Sequence, residues 1–214
     1  MARPRYEDCV FLNVPFDTRY EPFIRALVFT VHDCGFVARC AREIDNSGQV
    51  RAEKIFELVA QSQLGVHDIS RTSLDPRHRL PRFNMPLELG VFLGAAHFGG
   101  GRHGRKLCLV LDREPYRYQK YCSDISGQDI RAHHGRIDGL VKSVRDWLSS
   151  HLVSRNIQVP GHATLFSRYT AFKRQLPAQC AALQLDPGEL LFNEYRTLVA
   201  GWLLANPWAP PGRL

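Results

Sequence analysis

The chain has 214 residues, 44% hydrophobic and 23% charged, with a formal net charge of +7 at pH 7. That size and balance fit one ordinary folded domain plus an extension, and they exclude a disordered or low-complexity chain. No apolar run is long enough to span a bilayer and the opening Met-Ala-Arg-Pro-Arg lacks the apolar segment of a signal peptide, so a cytoplasmic protein without a membrane partner is expected.

Cys9 to Val14 is a short β-branched and aromatic run that reads as a buried strand, broken by Pro15-Phe16-Asp17. Tyr20 to Cys34 places Phe23, Ile24, Leu27, Val28 and Val31 at helical spacing, and Gly35 ends that helix. Phe36 to Cys40 reads as a second strand, followed by a polar loop from Arg42 to Gln49. Val50 to Gln61 is the next helix, with Ile55, Phe56, Leu58 and Val59 inward, and Leu64 to Ile69 a third strand. An arginine- and proline-rich loop leads to a helix over Met85 to Phe98, and Lys106 to Leu111 is a fourth strand. Gln128 to Ala132 reads as a short fifth strand, and Asp138 to Leu152 as an amphipathic helix with Leu140, Val141, Val144, Trp147 and Leu148 inward.

Strand and helix in alternation predict an α/β fold: a flavodoxin- or Rossmann-like parallel sheet of about five strands flanked by helices. The sheet domain is assigned to residues 1–155 and a C-terminal helical extension to 156–214. The extension comprises helices over Thr164 to Leu185, kinked or split at Pro177, and Pro187 to Ala205, then a disordered proline-rich tail. Leu183, Leu190, Leu191, Trp202 and Leu203 on these helices suit a homo-oligomer surface.

The helix over Met85 to Phe98 is the most apolar helical stretch and carries a single fixed charge, Glu88. Burying a lone carboxylate costs several kcal/mol, so Glu88 has either a cationic partner such as Arg71, Arg79 or Arg82, or a functional cleft to face. Asn84 can cap this helix and Pro86 suits its first turn, which puts Glu88 about one turn in, where the helix dipole favours the anion.

In an open parallel sheet, ligands bind beyond the carboxyl ends of the strands, where strand order reverses. The loops there supply Asn13, Phe16 and Asp17 after the first strand, Arg42, Glu43 and Asp45 after the second, and Asp68, Ser70 and Arg71 after the third. Asn84, Met85 and Glu88 follow. Asp68 and Asn84 are assigned to ribose hydroxyls and Glu88 to the anomeric carbon, where an anion can attack or stabilise positive charge. Arg51 and Lys54, in the first turns of the second helix, are assigned to a phosphate at its N-terminus.

Arginine outnumbers lysine in the positive excess, and forked guanidiniums suit phosphate ligands. The basic residues form no continuous stripe, so sequence-specific nucleic-acid binding is not expected. The six cysteines contain no C-x-x-C pair and most read as small core residues, and adjacent His133 and His134 diverge, so no metal is expected. Neither G-x-G-x-x-G after the first strand, nor a phosphate-loop motif, nor a G-x-S-x-G elbow is present.

Asn13-Val14-Pro15-Phe16, a third strand ending in Asp68, and Pro86-Leu87-Glu88-Leu89-Gly90 opening the next helix resemble the nucleoside 2-deoxyribosyltransferase-like and TIR-like superfamily. The resemblance covers roughly residues 9–150 and implies that Glu88, with Gly90 close behind, works on the N-glycosidic bond of a nucleoside, a nucleotide or NAD, with no cofactor and NAD only as a substrate. It further implies a bacterial protein of antiphage defence. Arg82-Phe83-Asn84-Met85 stands where the transferases have their D-x-G-T lead-in. The alternative reading is a nucleotide-sensing module with the same pocket and no turnover, signalling through the C-terminal helices. A receiver-like phosphoacceptor site at Asp68 lacks its acidic pair and its lysine.

Overall fold

The computed structural model describes residues 4–71, 83–152 and 157–208. Its elements run β1 (Cys9–Asn13), α1 (Glu21–Asp33), β2 (Val37–Arg39), α2 (Arg51–Gln61), β3 (Leu64–Asp68), α3 (Asn84–Phe98), β4 (Leu107–Asp112), β5 (Arg131–Ala132), α4 (Ile137–Leu152), α5 (His162–Ala182) and α6 (Phe192–Ala205). All strands are parallel, in the order β2-β1-β3-β4-β5. Every residue of β1 and β3 is buried, as expected of central strands covered on both faces.

Side chains of Val10, Leu12, Val66, Leu109 and Leu111 meet α1 and α4 on one face, while Phe11 meets α2 and α3 on the other. The inward stripe of α1 is Ile24, Leu27, Val28 and Val31, and Gly35 at φ 82° closes it in the left-handed conformation that glycine adopts without penalty. Between β4 and β5 the chain makes 3-10 turns in place of an α-helix, and Tyr118 and Ile125 pack there with Ile69, Met85, Leu89 and Val110.

Several boundaries differ from the sequence reading. Phe56 is exposed, because Ile55, Leu58 and Val59 already fill the α2 stripe. The fifth strand is only two residues long, since the chain turns from Cys122 to Gln128 before it reaches the sheet edge. Helix α6 begins at Phe192, after a turn in which Asp186 accepts from the Gly188 amide.

Pro177 does not split α5, which runs unbroken through it. The proline lies on the exposed side, where water can satisfy the orphaned carbonyl, while Phe172, Leu176 and Cys180 anchor the buried side. The residue-155 boundary falls in the undescribed 153–156, and the tail 209–214 also lies outside the described residues.

Residues 157–208 do not form a core of their own. Leu165, Phe172, Val199 and Trp202 belong to one contiguous apolar cluster with α1, α4 and the sheet. Phe29 of α1 lies 5.4 Å from Phe172, 5.5 Å from Tyr169 and 5.7 Å from Trp202 between ring centroids. Arg168 grips Asp33 with two nitrogens at 2.9 Å, and Arg196 reaches Glu43 at 3.3 Å. The two C-terminal helices are therefore an outer layer on α1 and α4. All six cysteines are free, with Cys9, Cys34, Cys40 and Cys180 buried. No helix among the described residues is long and apolar enough to cross a membrane.

Candidate functional site

Strand order reverses between β1 and β3, and register sets Asn13 beside His67 and Asp68 beside Leu111. On the next pair Asp112 stands beside Ala132, one residue before His133. The carboxyl edge of the sheet thus carries an amide, two carboxylates and an imidazole in neighbouring strands. Asn13, Asp68 and Asp112 are each fully buried.

Asn13 Nδ2 donates to the Met85 carbonyl at 2.8 Å and lies 3.0 Å from His67 Nδ1. Burial, helped by the Lys106 charge, pushes the His67 imidazole down to about 3, so the ring is neutral and its Nδ1 accepts. Asn13 therefore ties the first turn of α3 to the end of β1 and positions what that turn carries. The Asn13→Ala variant is expected to lose about 1–3 kcal/mol in urea denaturation, because it leaves His67 Nδ1 and the Met85 carbonyl without this donor. A change within about 0.5 kcal/mol would mean that the tether is inconsequential.

Asn84 is the first residue of α3, not its cap; Phe83 holds that position and no side chain caps the helix. Glu88 lies one turn on and is only 7% exposed. Among the described residues it makes no hydrogen bond or ion pair, so the buried-pair reading finds no partner there; Arg71 is bound to Asp17 at 3.1 Å instead. Arg79 and Arg82 lie outside the described residues. Burial pushes the Glu88 carboxyl up to about 7, with the charge of Arg51 offsetting part of the effect.

At the first turn of α3, one turn before Glu88, a cavity of about 140 Å³ is lined by Pro15, Phe16, Arg51, Arg71, Asn84 and Met85. Glu88 is not among its lining residues, and Arg51 is the wall residue whose charge acts on it. Five of these six were nominated from the sequence, Arg51 by the helix N-terminus argument and the others by their places after strand ends. Phe16 is flanked by the guanidinium carbons of Arg42 at 4.6 Å and Arg51 at 5.6 Å from its ring centroid. Arg51 opens α2, so its charge sits at a helix N-terminus.

Other nominated residues stand elsewhere. Lys54 turns away and donates to the Ile44 carbonyl at 3.2 Å. Asp17 accepts from the Arg19 and Tyr20 amides at 3.1 and 3.2 Å, fixing the turn into α1 while it holds Arg71. Asp68 is not free to hold a ribose: Tyr20 Oη donates to its Oδ2, His133 Nε2 stands 3.2 Å from the same oxygen, and the Ser70 amide donates to Oδ1 at 2.8 Å. Burial works against the Asp68 anion, but these groups outweigh it and hold the carboxyl below the usual range.

His133 Nδ1 accepts from the Gly135 amide at 3.0 Å, which leaves Nε2 to carry the proton toward Asp68. Asp112 is likewise committed, accepting from Arg117 Nε at 2.9 Å and Tyr121 Oη at 3.0 Å. Arg117 also donates to the Ser70 carbonyl at 2.8 Å, so the ends of β3 and β4 are bolted together.

Tyr20, His133, Asp112 and Arg117 were not nominated from the sequence. The carboxyl-end rule, carried to the fourth and fifth strands, would have found Asp112 and His133. Tyr20 has no signal of its own beyond following the Asp17 turn. Among the described residues no group of three or more His, Cys, Asp or Glu is placed to hold a metal ion. No family model, curated protein or solved structure matches the chain.

Proposed function

We propose that the chain cleaves or transfers at the N-glycosidic bond of a nucleotide, a nucleoside or NAD, with Glu88 acting on the anomeric carbon. The observation that carries this reading is Glu88 itself: a buried carboxylate without a partner among the described residues, one turn along α3 from Asn84 and Met85, which line a cavity at the point where strand order reverses. Among the described residues no cation bonds to this group to make it structural, and only the charge of Arg51 acts on it. It becomes useful when positive charge develops next to it.

As the C–N bond breaks, its electron pair leaves with the base and the sugar carbon gains oxocarbenium character. Ionised Glu88 either adds to that carbon, giving a glycosyl ester that water or another acceptor then opens, or stabilises the cation while the acceptor adds directly. The neighbouring Phe16 ring and Arg51 and Asn84 side chains supply an apolar wall, a charge and an amide for the rest of the substrate. The deep Asp68 network is assigned to holding the loop ends in place rather than to contact with the sugar.

The test incubates the protein with NAD, nucleosides and deoxynucleoside monophosphates and resolves free base chromatographically. Base release is expected from at least one class, and its rate is expected to fall as pH drops below about 7 and Glu88 takes up a proton. Absence of release from every class, with ligand binding intact, would favour the sensing reading. A rate that rises on acidification would remove Glu88 from the role of an anion.

A further inference from the structure

A second cavity, of about 280 Å³, opens beside the first at the ends of β3, β4 and β5. Arg19, Arg71, Arg113 and Arg117 line it, together with Ser70 and His133, and no acidic residue is among its lining residues. The acids that balance these arginines stand behind the wall. Asp112 and Asp68 are fully buried and committed to Arg117 and to Tyr20 and His133, and Asp17 holds Arg71 from one side.

The arrangement divides the four guanidiniums into two kinds. Arg71 and Arg117 are held by carboxylates and keep fixed positions, so little ordering entropy is lost when they bind. Arg113 touches Glu114 only at 4.0 Å with both side chains well exposed, and Arg19 has no acidic partner among the described residues. Arg117 spends its Nε and one Nη nitrogen on Asp112 and the Ser70 carbonyl and so brings fixed positive charge. The adjustable forks of Arg19 and Arg113 can close on an oxyanion with several equivalent oxygens, which phosphate offers and a single carboxylate does not.

Arg71 lines both cavities. Neither alone reaches the roughly 300–1,000 Å³ of an ordinary ligand site, whereas the two joined across Arg71 do. We propose that the arginine cavity binds the phosphate or pyrophosphate group of a substrate whose glycosidic carbon lies at Glu88, so that the substrate class is a phosphorylated nucleotide and not a free nucleoside. This inference rests on the proposed glycosidic chemistry for its second half only; the anion site stands on its own geometry.

The experiment has two arms on the full chain. Inorganic pyrophosphate is titrated calorimetrically into the wild type and into an Arg19→Ala/Arg113→Ala variant, two exposed positions outside the core. Base release from a nucleoside 5′-monophosphate is then compared with release from the matching nucleoside. Binding to the wild type is expected, weaker by about tenfold or more in the variant, together with a nucleotide preference of about tenfold or more that the variant loses.

Lack of pyrophosphate binding, or binding that the variant leaves unchanged, overturns the anion site. Arginine-dependent binding with equal release from nucleotide and nucleoside overturns the substrate assignment and makes the cavity a site for a free polyphosphate. Arginine-dependent binding with no release from nucleotide, nucleoside or NAD upholds the anion site and overturns the glycosidic reading instead.

Discussion

The Glu88→Gln variant is expected to release base about 10²–10³-fold more slowly than the wild type while being the more stable protein above neutral pH. The first effect follows from removing the anion that the oxocarbenium centre needs. The second follows from burial, which raises the carboxyl from its ordinary value of 4.5 to about 7. Between these two values the folded state binds more protons than the unfolded one, so the stability associated with protonated Glu88 is complete below pH 4.5 and is lost as pH rises through 7.

Glutamine stays neutral throughout and escapes that loss. The gain over wild type is therefore near zero at pH 4.5 and about 2–3 kcal/mol at pH 8. Urea midpoints at the two pH values measure it directly. A variant that is less stable at pH 8 would show that Glu88 has a cationic partner after all, and unchanged base release would remove it from the chemistry.

The second large effect concerns the outer helices. Phe172→Ala is expected to cost about 3–5 kcal/mol, because the side chain is fully buried and touches α1 and α6 at once through Phe29, Tyr195 and Trp202. Since α5 and α6 share the core of the sheet layer, the whole transition should shift. Far-UV circular dichroism and tryptophan fluorescence, reporting from Trp147 of α4, Trp202 of α6 and Trp208 just after it, should give coincident curves in wild type and variant. Two separated transitions, with only the fluorescence of α6 moving, would restore the division near residue 155.

Period and punctuation in the sequence were enough for the five strands and six α-helices of the described residues. Central strands such as Cys9–Asn13 are continuous apolar runs, and α1 and α4 carry clear stripes ended by glycine or a loop. Misplaced boundaries lie where tertiary contacts overrule local signals, as at Pro177, whose helix is held by Phe172 and Cys180 on its other side. The α5 and α6 layer could not be assigned from composition, because an apolar stripe does not name the surface it covers.

Of the candidate site, the rim was legible and the floor was not. Phe16, Arg71, Asn84 and Met85 follow strand ends in the chain and one topological rule gathers them, while Arg51 comes from its place at the N-terminus of α2. The Asp68–Tyr20–His133 network joins residues 48 and 65 positions apart from Asp68, a separation over which no spacing rule operates. Asn13 illustrates the intermediate case. Its location was inferred, but its amide supports the chain rather than a ligand.

The outermost strands of the sheet bear on how copies of this chain can meet. β2 is three residues long and β5 two, and each carries an arginine that folds back onto its own subunit, Arg39 onto Glu43 and Arg131 onto the Ser143 carbonyl. Such short, charged borders give an incoming strand almost no ladder to extend, which guards the chain against edge-to-edge stacking into fibres. A second copy of the chain thus finds little backbone at either border of the sheet with which to pair.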